Sequence, residues 1–307
     1  MKQRKKNHRW IVQCVLLAAF SAFVAAPHGA FTAPPVTIDD LPKDKVVLIV
    51  NGDDVGMGPV YTDATIEAYA AGHITSLSII APAPDTERAI GLLKARPGLD
   101  VGVHLTLTGD WKPLTGGPSL RRKSGRMWDT DTQAARNVKP EEAEIEWDAQ
   151  VRKILDSGLT VSHLDSHMGS YFLNNELFKA AAEVSRKFRI PLVSPFWPGR
   201  MPPEWRPLFP LASYSGIYTL GAPETLENRA AAYWHKFTGL TPGVHYLFTH
   251  HAKVKPGSSL YGDLGLRVDE TAFWTSDETA KKLKQRGIIL SGCLPLKRQF
   301  EKALDDL

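Results

Sequence analysis

Short apolar runs and segments of helical periodicity take turns along this chain. Residues 45–50 (KVVLIV) form an unbroken apolar strand, the kind buried on both faces. A helix over 59–71 follows and stops at Gly72, a residue suited to a helix C-terminus. Strands are predicted at 75–81 and 99–107, separated by a helix over 85–95 that ends before Pro97. A polar stretch with glycine and proline spans 108–139, long for a strand-to-helix connection and therefore a candidate functional loop. Beyond it come a helix over 140–157, a strand at 160–165, a helix capped by Asn174 and running to Lys187, and a strand at 190–194. Residues 195–210, rich in Pro, Trp and Arg, read as a surface loop. A short strand at 217–220, a helix over 224–237 and a strand at 244–249 come next. Ser276 caps a last helix, which Gly287 ends before a strand at 288–290. Strand and helix thus alternate about eight times within one domain, an α/β pattern that favours a closed or nearly closed barrel.

The first 33 residues stand outside this pattern. Lys2, Arg4, Lys5, Lys6 and Arg9 precede an apolar run over 10–26, and small residues and prolines follow to Pro35. This reads as a secretory signal, with an uncleaved anchor as the alternative. The run is shorter than the roughly 20 residues that span a bilayer comfortably. Residues 34–307 then form a single domain, exported to a bacterial periplasm or secreted, without stable membrane association once the signal is cleaved. Removing the leader changes the charge. The formal +4 becomes 32 basic against 33 acidic side chains, so no bulk basic field favours nucleic acid. Cys293 alone remains of the two cysteines, which excludes an intrachain disulfide.

Polar residues interrupt the predicted strands at their C-terminal ends. Asp53 and Asp54 follow the first strand; adjacent carboxylates repel each other and are costly to bury without a cation. In VGVHLTL, alternation sets Val101, Val103 and Leu105 on one face and Gly102, His104 and Thr106 on the other. In HLDSH, His163, Asp165 and His167 alternate and can turn to one side. His250 and His251 end the strand at 244–249. In an α/β barrel these strand ends share one face, where active sites are built. A carboxylate with two imidazoles describes a catalytic divalent-metal site. A second carboxylate can take a proton from water, and a histidine opposite can protonate a leaving amine. The set fits amide hydrolysis.

The stretches NGDDVGMG (51–58), AGHITSLSII (71–80), VGVHLTLTG (101–109), SHLDSHMGS (162–170), YLFTHHA (246–252) and RGIILSG (286–292) resemble, in order, those of the YdjC-like carbohydrate deacetylases. The resemblance implies a distorted (β/α) barrel of TIM-like or NodB-like architecture. It implies Asp53 as general base, Asp54, His104 and His167 as ligands of one divalent ion (Mg2+ or Zn2+), and His250 as the late histidine that assists catalysis. His163 and Asp165 match positions behind the ligands or against the sugar. The implied substrate is an N-acetylated sugar or oligosaccharide. Gly169 and Tyr171 stand where the family often has further histidines, Val55 where it has phenylalanine, and His251-Ala252 where it has Pro-Gly. These departures touch the sugar pocket and the acid step rather than the metal and base positions. Trp111, Trp128, Trp197 and Trp234 are candidates to stack on sugar rings, or to pack loops onto the barrel. Another metal-dependent hydrolase, cleaving an O-acetyl or phosphoester bond, and a non-catalytic carbohydrate-binding protein are the competing readings.

Overall fold

The structure, a computed structural model, describes residues 38–193, 213–214, 226–255 and 263–306. The predicted leader, the loop at 195–210 with Trp197 and the strand at 217–220 lie outside the described residues. No helix among the described residues is long and apolar enough to cross a membrane.

Strand β1 (Val46–Val55) is the centre of the sheet. Val47, Leu48, Ile49 and Val50 are all fully buried. Burying each side chain stabilises the fold by about 1.5–3 kcal/mol. Their alternation assigns the two faces. Leu48 and Val50 pack outward with Tyr233, Phe237, Phe273 and Trp274. Val47 and Ile49 point inward, to Ile38, Val244, Tyr246, Cys293 and Leu296. Asn51 and Asp53 continue the inward series.

All strand pairs are parallel, as strands joined by helical crossovers require. With β2 (Ser76–Ile79), β3 (Val101–Leu105), β4 (Val161–Ser166), β5 (Ser213–Tyr214), β6 (Gly243–Thr249) and β7 (Ile289–Leu290), the order is β4-β3-β2-β1-β6-β5. β7 pairs with Val47 and Leu48, on the edge of β1 that β2 leaves free until Asn51. The described strands therefore form a parallel α/β half-barrel. Among the described residues no pairing joins β4 to β5. The strand expected at 190–194 is reduced to one bridge, Leu164 to Leu192; Pro191 has no N–H to donate to a ladder.

The helices are α1 (Pro59–Ala70), α2 (Thr86–Lys94), α3 (Asp131–Asn137), α4 (Pro140–Asp156), α5 (Asn175–Phe188), α6 (Leu226–Thr238), α7 (Leu264–Trp274), α8 (Asp277–Gln285) and α9 (Leu294–Asp305). Asn174 and Ser276 cap α5 and α8 as expected, their side chains accepting first-turn N–H groups. Three helices were not foreseen. α3 lies in the stretch read as loop, capped by Thr130, which accepts from the Gln133 N–H. α7 precedes α8. α9 follows β7, so the helix ending at Gln285 is not the last. On β3 the predicted faces hold: Val101, Val103 and Leu105 join the outer core. Gly102 faces inward, where a Cβ would come within 2.4 Å of the His163 ring; its lack of a side chain makes room for that imidazole.

Candidate metal centre and active face

The inner face above Val47 and Ile49 is polar, and it is built in tiers. In the lowest, the Ser162 hydroxyl donates to Asp100 Oδ1, while Asp100 Oδ2 accepts from the N–H groups of Cys293 (2.6 Å) and Leu294 (3.1 Å). His163 lies here, fully buried, with Nδ1 2.8 Å from Ser162 Oγ. Burial lowers its pKa, so it is neutral. Asp100, His163 and Cys293 have donor atoms close enough to suggest a metal group. Both Asp100 oxygens, however, are engaged in tying the start of α9 to β3. His163 thus sits beneath the site and does not reach its surface.

The middle tier centres on Asp165. Its Oδ1 is 2.8 Å from His104 Nδ1. Its Oδ2 accepts from Ser78 Oγ (2.9 Å), Asn51 Nδ2 (3.2 Å) and the Tyr246 hydroxyl (3.2 Å). Burial alone would raise the Asp165 pKa, but His104, with the Ser78 hydrogen bond, outweighs it and lowers the value. An ionised Asp165 has no proton to give, so the proton between them sits on His104 Nδ1. That leaves Nε2 facing the upper tier, the arrangement in which a carboxylate orients a metal-ligating histidine.

The upper tier holds Asp53, Asp54, His167 and His250. Strict alternation would point Asp54 away from Asp53. The β1–β2 register shifts between Gly52 and Val55, and Asp54 adopts a left-handed φ of 68°. Such a conformation costs about 1–3 kcal/mol in a non-glycine residue, though Asp tolerates it better than most. Both carboxylates now converge. Asp54 Oδ1 lies 3.4 Å from His104 Nε2 and 3.0 Å from His167 Nδ1. His167 does not continue β4; it opens a tight turn in which Met168 has φ 56°. Metal–ligand bonds of about 2.0–2.2 Å set adjacent donor atoms roughly 3.0–3.5 Å apart, and the Asp54 distances match. The electrostatics agree. Burial raises the Asp53 pKa well above normal, and Asp165 and Asp54 add to the rise against His104. His104, despite burial, is raised by Asp165 and Asp53. Surplus negative charge draws protons to this cluster, and a divalent ion would answer the same demand.

His250 rather than His251 faces these carboxylates. His250 Nε2 is 3.8 Å from Asp53 Oδ2 and 4.0 Å from Asp54 Oδ2. His251 is fully buried with Nε2 2.8 Å from Thr249 Oγ1. Burial, helped by Arg267, lowers both pKa values to about 3.

Two contributors escaped the sequence reading. Arg267, on α7, donates through Nη1 to Asp54 Oδ2 at 2.6 Å. Burial pushes the Asp54 pKa up, but Arg267, with the His104 and His167 hydrogen bonds, holds it well below the usual carboxylate range. In sequence Arg267 looks like half of a surface i,i+4 pair with Asp263. Glu146, buried on α4, accepts from Leu114 N–H (3.0 Å), Thr115 N–H (2.8 Å) and the Thr115 hydroxyl (2.7 Å). It thereby ties down the loop that carries Trp111, whose ring centroid is 5.9 Å from that of His167. Gly109 (φ 125°) permits this: a Cβ there would meet the indole at 2.2 Å. Of the other tryptophans, Trp128 packs its loop, donating Nε1 to Ser119 O, and Trp234 packs against Phe237 and Phe273.

Comparison with known proteins identifies the family. The chain matches the YdjC-like protein family over residues 47–285. It belongs to that family. This YdjC-like chain is 38% identical to carbohydrate deacetylase 1 of Listeria innocua serovar 6a over 123 residues, 39% of this chain and 50% of the relative. It is 31% identical to the carbohydrate deacetylase of Halalkalibacterium halodurans over 180 residues, 58% of this chain and 74% of the relative. The match to the first relative spans half of that protein's length. A crystal structure from Enterococcus faecalis V583, of a protein provisionally assigned to cellobiose-phosphate cleavage, superposes with a TM-score of 0.69 at 27% identity. The superposition covers 82% of this chain and 99% of the other. The family match runs from β1 through α8 and so spans the upper tier and Arg267; α9 lies beyond it.

Proposed function

We propose that this YdjC-like protein is an exported, metal-dependent deacetylase of N-acetylated sugars or oligosaccharides. The observation that carries the reading is Asp54 Oδ1 set 3.4 Å from His104 Nε2 and 3.0 Å from His167 Nδ1, with Asp53 and His250 beside them. The relatives described as carbohydrate deacetylases support it. Asp54, His104 and His167 would hold one divalent ion. Two imidazoles and one carboxylate suit zinc better than magnesium, which prefers oxygen donors. The ion would supply a Lewis acid for the acetyl carbonyl and lower the pKa of water.

The remaining steps belong to side chains. Asp53, beside these residues and slightly exposed, takes the proton from the attacking water. His250 is neutral at rest, so any proton it gives to the leaving nitrogen must arrive during the reaction. Asp53, 3.8 Å away, is the neighbouring source. Trp111 at the rim offers an aromatic face for the sugar.

Purified protein, stripped by chelation and reloaded with zinc or magnesium, should release acetate from some member of a panel of N-acetylated sugars only when reloaded. Protein that holds a stoichiometric ion and releases no acetate from any of them would refute the activity. Export is tested separately: the secreted protein's intact mass should place its first residue between 27 and 34.

A further inference from the structure

The two oxygens of Asp54 have different partners. Oδ1 faces the imidazoles of His104 and His167. Oδ2 accepts the Arg267 guanidinium at 2.6 Å, in a pair whose side chains are 9% and 1% exposed. Arg267 is itself fixed. Its Nε donates to Asp263 Oδ2 at 2.7 Å, and its guanidinium carbon lies 5.2 Å from the Tyr61 ring centre. Its helix is held to the site by a second bond one turn on, where Glu270 Oε2 accepts the His250 N–H at 2.6 Å.

A carboxylate can ligate an ion through one oxygen or through both. Two-oxygen ligation by Asp54, together with two imidazoles, would fill four positions. One-oxygen ligation fills three and leaves room for water and a carbonyl, as catalytic sites require. We propose that Arg267 is a positioning residue that confines Asp54 to one-oxygen ligation and so keeps the ion's coordination open. The proposal rests on the metal reading above. The guanidinium is suited to the task because its rigid fork holds Asp54 through Nη1 and Asp263 through Nε at a fixed spacing, which an ammonium on a flexible stem does not.

The test uses the full mature chain loaded with cobalt(II), whose visible absorption weakens as its coordination number rises. Acetate, the expected product, probes the open positions by titration. In Arg267→Met the cobalt absorption should weaken, the ion should be held at least as tightly in competition with a chromophoric chelator, and acetate affinity should fall by about 10-fold or more, the scale seen when a ligand's support is removed. Arg267→Lys keeps the charge and should shift the same readouts in the same direction; it serves if the methionine variant does not fold. A folded variant with wild-type absorption and wild-type acetate affinity would overturn the proposal, reducing Arg267 to an anchor for α7. Loss of the ion from a folded Arg267→Met would also overturn it, since Asp54 would then need the arginine to bind at all. Wild-type protein that takes up no stoichiometric cobalt would defeat the metal reading itself.

Discussion

Asp165→Asn isolates the orientation of a ligand from the ligand itself. The carboxylate accepts on both oxygens: His104 Nδ1 at Oδ1, and Ser78, Asn51 and Tyr246 at Oδ2. An asparagine has one acceptor oxygen. If that oxygen stays with Ser78, Asn51 and Tyr246, the amide NH2 faces His104 Nδ1. His104 must then move its proton to Nε2, the atom that would ligate the ion. If the amide flips, His104 keeps its tautomer, but the three donors face an NH2 in a buried site. Either way a buried polar group is left unsatisfied, at about 1–3 kcal/mol. In the first arrangement the ion's affinity should fall 10–100-fold, the usual effect of removing such support, or about 1.4–2.7 kcal/mol. Calorimetric titration of zinc into the chelated variant measures the affinity, and thermal unfolding measures the stability. A variant with wild-type zinc affinity and wild-type Tm would refute the argument, showing that Asp165 neither sets the His104 tautomer nor organises its tier.

Other perturbations separate the remaining roles. Asp53→Asn should keep the ion and sugar affinity while kcat falls by about 10²–10⁴-fold, the worth of a positioned base; near-native turnover in a steady-state acetate assay would remove Asp53 from that role. His250→Ala should lower kcat, whereas His251→Gln should leave kcat near wild type; acetate-release kinetics on the two variants compare them directly. His251→Gln also tests a pH dependence. Burial depresses the folded-state pKa of His251 from 6.5 to about 3, so its contribution is complete above pH 6.5 and is lost as pH falls toward 3. The variant should flatten the acid side of a stability-versus-pH curve by up to about 1.4 kcal/mol per pH unit, read from urea unfolding at successive pH values. Gly109→Ala should displace Trp111 and strain a φ of 125°, destabilising the protein by about 1–3 kcal/mol and weakening sugar binding, both visible in a thermal-shift titration.

How much of this was legible in the sequence depended on periodicity. Apolar runs located β1 to β4, β6 and β7, and polar residues at strand ends located Asp53, His104, Asp165 and His250 on one face. Alternation could not place Asp54, because a left-handed residue and a register shift undo it. Nor could it rank His163 below Asp165; the depth of a residue in a barrel depends on neighbouring strands, here on Gly102. Arg267 was invisible because its partner is on β1 and its local context is an ordinary helix. α7 and α9 were missed for a related reason: neither begins with a side-chain cap, and Pro295 in the first turn of α9 reads equally well as a turn.

The central position of β1 bears on how this chain acquires its fold. β1 is the first strand described, yet β6 (Gly243–Thr249) covers one of its edges and β7 (Ile289–Leu290) part of the other. Pairings of such long sequence separation form late and slowly. A growing polypeptide therefore carries its most apolar strand with one edge bare until nearly all of it has been synthesised. For a protein that folds where it is made, that is an exposure to aggregation. For a chain exported as an extended thread, as proposed above, it would be an advantage: the chain could not close prematurely around β1, and closure would wait until the C-terminal quarter had followed it out.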